Sequence, residues 1–146
     1  MEGVILTLSK SISFTVPGQA VGKQRPRFSR RSGRTYTPEK TVNYETLVRL
    51  SYKQQVDAEP FEKDKPLALK LEIYQQIPNS VSKKKRELMI GKKILPTKKP
   101  DTDNVIKAVL DAVNGIAFHD DSQIVKIYAV KYFSEYPEVK VTISEI

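Results

Sequence analysis

The chain of 146 residues contains no cysteine, which excludes disulfides and thiolate metal sites. Histidine is nearly absent: His119 is the only one, and a lone histidine just before a turn reads as a surface residue rather than a catalytic one. No apolar run approaches the roughly 18 residues that a membrane span requires. Met1–Leu8 lacks the basic start and long apolar region of a signal peptide. There is no internal repeat and no low-complexity tract. The expectation is a soluble, cytoplasmic protein without a membrane partner, folded as a single domain over residues 1–146, long enough to bury one ordinary core. A hydrophobic fraction of 39% and a charged fraction of 29% do not suggest disorder.

Acid is the scarcer charge. Against 25 Lys and Arg stand 17 Asp and Glu, for a formal net charge of +8. The cations are concentrated in two stretches. Residues 23–49 hold Lys23, Arg25, Arg27, Arg30, Arg31, Arg34, Lys40 and Arg49, and residues 83–99 hold Lys83, Lys84, Lys85, Arg86, Lys92, Lys93, Lys98 and Lys99. Clusters of this density attract polyanions and favour binding driven by counterion release, so nucleic acid is the expected partner ahead of a merely solubilising surface.

Periodicity places these stretches on an α+β frame. Ile12, Phe14 and Val16 alternate with Ser11, Ser13 and Thr15 as a half-buried strand ended by Pro17-Gly18. Gly22–Tyr36 has no period and reads as an exposed basic loop, in which Phe28 and Tyr36 either stack on bases or pin the loop to the domain. Thr37-Pro38 predicts a helix with Thr as cap and Pro at the first position, burying Val42, Leu47, Val48 and Leu50. A strand follows with Leu67, Leu69, Leu71 and Ile73 inward. A short basic helix capped by Ser80 or Ser82 then runs to a stop at Gly91. Val105, Val109, Ala112, Val113 and Ile116 define the clearest helix, stopped at Asn114-Gly115. Ile124–Phe133 and Val139–Ile143 read as a closing antiparallel hairpin, although Lys131 breaks the apolar face of its first strand. The predicted architecture is a small mixed sheet of about four strands with two to three helices.

Within this basic chain five carboxylates fall between positions 101 and 121: Asp101, Asp103, Asp111, Asp120 and Asp121. Hard oxygen ligands gathered this way suit Mg²⁺ held against a phosphodiester. The competing reading is that an Asp caps the helix, which accounts for one Asp but not two followed by Asn104. Asp103, Lys107 and Asp111 recur every four residues and share a helical face. Lys107 is thus either a surface partner of Asp103 or a cation placed to neutralise transition-state charge. Asp120-Asp121 lies beyond the helix, and its convergence with Asp101 requires the chain after Ile116 to run back along that helix.

The run from Lys99 to Val125, KPDTDNVIKAVLDAVNGIAFHDDSQIV, closely resembles the RusA family of Holliday-junction resolvases. The family pattern is a basic residue, D-x-D-N-x-x-K-x-x-x-D-x-L-N, a short segment, and D-D-x-Q-I. Val113 stands where Leu is common, and the likeness to residues 83–99 is poor. The resemblance implies a Mg²⁺-dependent endodeoxyribonuclease, with Mn²⁺ as an alternative ion, that resolves four-way junctions as a homodimer in DNA recombination and repair. Carried over by position, it makes Asp101, Asp103 and Asp121 the metal-binding carboxylates, with Asp120 as an alternative ligand, and Lys107 the essential lysine. Lys23, Arg25, Arg27, Arg30, Arg31, Arg34, Lys84, Lys85, Lys98 and Lys99 then become candidate DNA contacts. Two other readings stay open: a nuclease of flaps, other branched DNA or RNA, and a basic DNA-binding protein without catalysis.

Overall fold

Strict alternation in three segments builds one apolar sheet face, and two amphipathic helices cover it. In a computed structural model, residues 9–146 are described; the expectation for Met1–Leu8 lies outside them. The elements in order are β1 (Ser11–Pro17), β2 (Arg27–Phe28), β3 (Thr35–Tyr36), α1 (Glu39–Gln55), β4 (Leu67–Gln76), α2 (Lys83–Ile90), α3 (Thr102–Val113), β5 (Ile124–Ser134) and β6 (Glu138–Glu145), with a 3₁₀ turn at Asp121–Gln123. The main sheet has the order β1-β6-β4-β5. β6 is antiparallel to β1 and to β4, whereas β5 is parallel to β4. The mixed four-strand sheet with three helices is the α+β domain expected.

The core lies between the sheet and the helix pair α1 and α3. Ile12, Phe14 and Val16 of β1, Val139, Val141 and Ile143 of β6, and Leu67, Leu69, Leu71 and Ile73 of β4 meet Val48 of α1 and Val105, Val109 and Val113 of α3. Side chains of this size each stabilise the fold by about 1.5–3 kcal/mol on full burial. Among the described residues no helix is long and apolar enough to cross a membrane.

Three local expectations are corrected. β5 and β6 are joined through Glu135–Pro137 but do not pair with each other, because β4 lies between them; the expected hydrogen-bonded hairpin is a crossover arch. Gln76 of β4 fixes that arch by donating from Nε2 to the Glu135 carbonyl at 3.0 Å. In α1 the capping residue is Pro38, with no side-chain cap, and the helix begins at Glu39. Its buried face is Thr41, Tyr44, Val48, Ser51 and Tyr52, leaving Val42 and Leu50 exposed. The tyrosines carry more burial area than the aliphatic residues opposite, so they set the helix rotation. At β1 the side chain of Gln55 binds the backbone of Thr15 on both sides, accepting from its N–H at 2.8 Å and donating to its carbonyl at 2.7 Å.

Candidate active site

The Arg-rich segment begins as a strap laid on α3. The Lys23 N–H donates to the Asn104 carbonyl at 2.8 Å, and Gly22 sits so close that a Cβ there would lie 3.0 Å from Asn104 Cβ and 3.3 Å from Pro100 Cβ. Only glycine allows that approach without displacement. The Lys23 ammonium then reaches between the helices to Glu45 of α1 at 2.5 Å and Asp111 of α3 at 3.2 Å. Burial by itself would lower the Lys23 pKa, but the hydrogen bonds and charges of Glu45 and Asp111 outweigh it and the net displacement is upward. Lys23, expected to touch DNA, is therefore engaged by two carboxylates.

Between strap and helix lies an open cleft of about 1030 Å³ whose walls include Arg25, Arg27, Lys40, Lys99, Asp101, Asp103, Asn104 and Lys107. Asp101 is the N-terminal capping residue of α3, yet its side chain makes no capping hydrogen bond. The capping reading of the acid cluster thus fails where it was strongest. Asp103 follows in the first turn, and both carboxylates are exposed at the N-terminal end of the helix, where its free N–H groups attract negative charge. Lys107 stands one turn on. Among the described residues it forms no ion pair with Asp103 or Asp111, because Asp111 is turned to Lys23. Among the described residues the cleft therefore presents two carboxylates without an ion pair, Asp101 and Asp103, and three ammoniums without one, Lys40, Lys99 and Lys107.

The loop leading into Asp101 is clamped from the sheet. Lys131 of β5 donates from Nζ to the carbonyls of Lys98 at 2.8 Å and Pro100 at 3.1 Å, and Gln75 of β4 donates from Nε2 to the Lys99 carbonyl at 3.2 Å. Three successive carbonyls are captured immediately before the first aspartate. The buried Oε1 of Gln75 has no partner. Sequence reading passed over Gln75, Lys131 and Glu45. The signal present was Lys131 interrupting an apolar face and Gln75 continuing the inward series Leu67, Leu69, Leu71, Ile73.

The second acidic pair is built differently. Asp120 caps the 3₁₀ turn, accepting from the Ser122 N–H at 3.2 Å and from its hydroxyl. That hydroxyl bond, with the backbone bond, holds the Asp120 carboxyl below its usual range. Gln123 completes the turn: its Oε1 accepts from the N–H groups of His119 and Asp120, and its Nε2 donates to the carbonyls of Glu62 and Lys65. Asp120 is thus occupied by turn structure, whereas Asp121 has no side-chain hydrogen bond among the described residues. His119 is exposed and contributes only its backbone.

The two halves do not meet within one chain. After α3 the backbone turns at once, Ala117 N–H bonding to the Val113 carbonyl, and buries Phe118. Lys131 marks the Asp101 end of the sheet, and β5 runs extended from Ile124 to it, which puts Asp121 on the order of 20 Å from Asp101. Among the described residues no group of three carboxylate or imidazole side chains could hold one metal ion. The remaining candidate DNA contacts are exposed: Arg30, Arg31 and Arg34 in the turn joining β2 to β3, Lys84 and Lys85 on α2, and Lys98 beside Lys99. None of these, nor Arg25 or Arg27, has an ion-pair partner among the described residues. Lys84 and Lys85 are not part of the cleft wall.

Compared with known proteins, residues 17–144 match the sequence pattern of the family described as endodeoxyribonuclease RusA. The chain is also 37% identical over 139 residues to the uncharacterized protein YqaN of Bacillus subtilis, covering 92% of this chain and 96% of that one.

Proposed function

The chain belongs to the RusA family of endodeoxyribonucleases, and on that premise we propose that it hydrolyses phosphodiesters at four-way DNA junctions in recombination and repair. The observation that carries the reading is Asp101 standing at a helix N-terminus with its carboxylate unspent, beside Asp103 and Lys107 in a basic cleft. Two hard-oxygen ligands fit Mg²⁺, which is commonly held by one or two carboxylates together with waters and substrate phosphate. Asp101 and Asp103 would hold the ion. Bound there, Mg²⁺ or Mn²⁺ would supply a water of lowered pKa and neutralise charge at the phosphoryl oxygens. Lys107 adds its ammonium to the negative charge that grows as the bond to the leaving oxygen breaks. Arg25, Arg27 and Lys99 hold the flanking phosphates, fixing register without reading sequence.

Asp121 can serve the same ion only if a second copy of the chain supplies it, since its own chain carries it too far away. The homodimer is therefore part of the proposal, and two-fold symmetry gives two sites for paired nicks. The test is a substrate panel of four-way junction, flap, linear duplex and RNA in Mg²⁺ and in Mn²⁺ at stated salt. Preferential junction cleavage by wild type, and Asp103→Asn that binds but does not cut, are expected. Intact substrates throughout would sink the nuclease reading and leave the binding protein. Mixing inactive Asp103→Asn with inactive Asp121→Asn tests the shared site: exchanged subunits should recover activity, because each mixed dimer contains one complete set.

A further inference from the structure

The ribbon formed by β2 and β3 does more than carry arginines. Its base is held on two sides, by Lys23 on α3 and by the Gln24 N–H donating to Thr41 Oγ1 of α1 at 3.2 Å. Its turn is closed by the Ser29 N–H to the Arg34 carbonyl and the Gly33 N–H to the Ser29 carbonyl, each 2.8 Å, with Gly33 at φ +68°. A structure so closed projects its side chains in set directions. Phe28 is 64% exposed and Tyr36 49% exposed, and among the described residues neither ring stacks on another ring or under a cation. Phe28, with nearly two thirds of its surface open, therefore does little to pin the loop to the domain.

Pairing of Arg27 with Tyr36 and of Phe28 with Thr35 puts Arg27 and Tyr36 on one face and Phe28 on the other. Arg27 lines the cleft beside Asp101. Phe28 thus stands one residue beyond the cleft wall, on the opposite face of the ribbon from Arg27. Lone exposed apolar side chains are common, but this one is set among Arg25, Arg27, Arg30, Arg31 and Arg34 with no acidic residue from Gly22 to Pro38. That charge repels a second copy of the same ribbon and draws a polyanion. A nucleic acid is the polyanion whose own chemistry also offers a flat apolar face.

We infer that Phe28 is a stacking wedge: it takes the face of a base unstacked at the branch point while Arg25 and Arg27 hold the strand at the cleft. Four-way junctions present bases whose stacking is already interrupted, so the wedge favours branched over linear DNA. This rests on the DNA reading above and adds a specificity determinant to it. Base–aromatic stacking is lost on substitution by alanine at a cost of roughly tenfold or more in affinity.

The experiment uses the full-length protein in EDTA, so that nothing is cut, with four-way junctions carrying 2-aminopurine at the crossover and a linear duplex of the same sequence. Wild type is expected to raise 2-aminopurine fluorescence on the junction. Phe28→Ala should bind the junction about tenfold more weakly, leave duplex affinity unchanged and give no rise at saturation, and Phe28→Trp should restore discrimination. Arg27→Ala should weaken junction and duplex alike but keep the fluorescence rise at saturation. Phe28→Ala that matches wild type in fluorescence and junction preference would overturn the inference. So would wild type that binds the junction without any rise. Wild type that binds no DNA overturns the DNA reading itself, a distinguishable failure.

Discussion

Replacing Lys23 by Met keeps the aliphatic stem and deletes the charge that joins α1, α3 and the strap. The ammonium serves Glu45 at 2.5 Å and Asp111 at 3.2 Å, whose side chains are 14% and 42% exposed. A hydrogen bond between charged groups is worth about 1.5–3 kcal/mol where it is sheltered, as at Glu45. The share of Asp111 is screened by solvent and falls to about 0–1 kcal/mol. The variant is therefore expected to lose roughly 2–4 kcal/mol, a fall in melting temperature of about 6–12 °C for a domain of this size. Two stranded carboxylates drive the loss, so adding Glu45→Gln to the Met variant should recover part of it. The gap has a pH window. Because the folded Lys23 pKa is raised, its contribution is complete below the ordinary value of 10.5 and vanishes as pH climbs through the folded value. Calorimetry from neutral to alkaline pH measures this, and a salt titration of DNA binding supplies the control. A lysine that contacts phosphate would lower the salt slope by about one unit when removed. A melting temperature within a degree of wild type together with a slope reduced by one would refute the reasoning and return Lys23 to the DNA surface.

Lys131→Met removes both donors to the Lys98 and Pro100 carbonyls. Water can replace them at this half-exposed site, so stability should fall by only about 1 kcal/mol, while misplacement of Asp101 lowers kcat about tenfold to a hundredfold. A Mg²⁺ titration of cleavage should show a raised metal requirement, with recovery in Lys131→Arg. Gly22→Ala forces the strap away from Asn104 and Pro100 and is expected to cost about 1–3 kcal/mol by denaturant unfolding, with a matching loss of cleavage. The Tyr74 hydroxyl donates to Glu72 at 2.7 Å and, with Lys70, Lys140 and Lys92 nearby, holds the Glu72 carboxyl below its ordinary 4.5. That contribution is present above pH 4.5 and lost as pH falls through the lower folded value. Urea midpoints should therefore drop less on acidification in Tyr74→Phe, with about 1 kcal/mol less acid-dependent loss than in wild type.

The elements with a single period were legible in the sequence. α3 formed where its Val and Ala spacing placed it, and β1, β4 and β6 bury the alternating residues they were expected to bury. α1 was found but rotated, since its inward face is made of Thr, Ser and Tyr, which a search for aliphatic residues passes over. The order of strands was not legible: sequence adjacency suggested that β5 pairs β6, and nothing local in Glu135–Pro137 announces that β4 lies between. At the cleft, Asp101, Asp103 and Lys107 were readable because a motif gives their spacing across the cap and first two turns of one helix. Glu45, Gln75 and Lys131 were not, because each acts on a segment distant in sequence, and only the packing of α1, β4 and β5 reveals which one. Asp120 and Asp121 were indistinguishable as letters. The hydrogen bonds of Ser122 and Gln123 separate them, committing one to the turn and leaving the other bare.

The amide of Gln55 on Thr15 has a consequence for assembly. A β-sheet with two open edges can grow indefinitely by adding strands, and long flat edges are aggregation hazards. Here the outward N–H and carbonyl of Thr15 are already taken, so β1 is a poor template for another chain. The outer edge of β5 pairs with no strand among the described residues. Two chains that met there about a two-fold axis would leave β1 as the outermost strand at both ends. Such a sheet would carry its own stop at each margin, and strand addition would end at two copies instead of running on into a fibre.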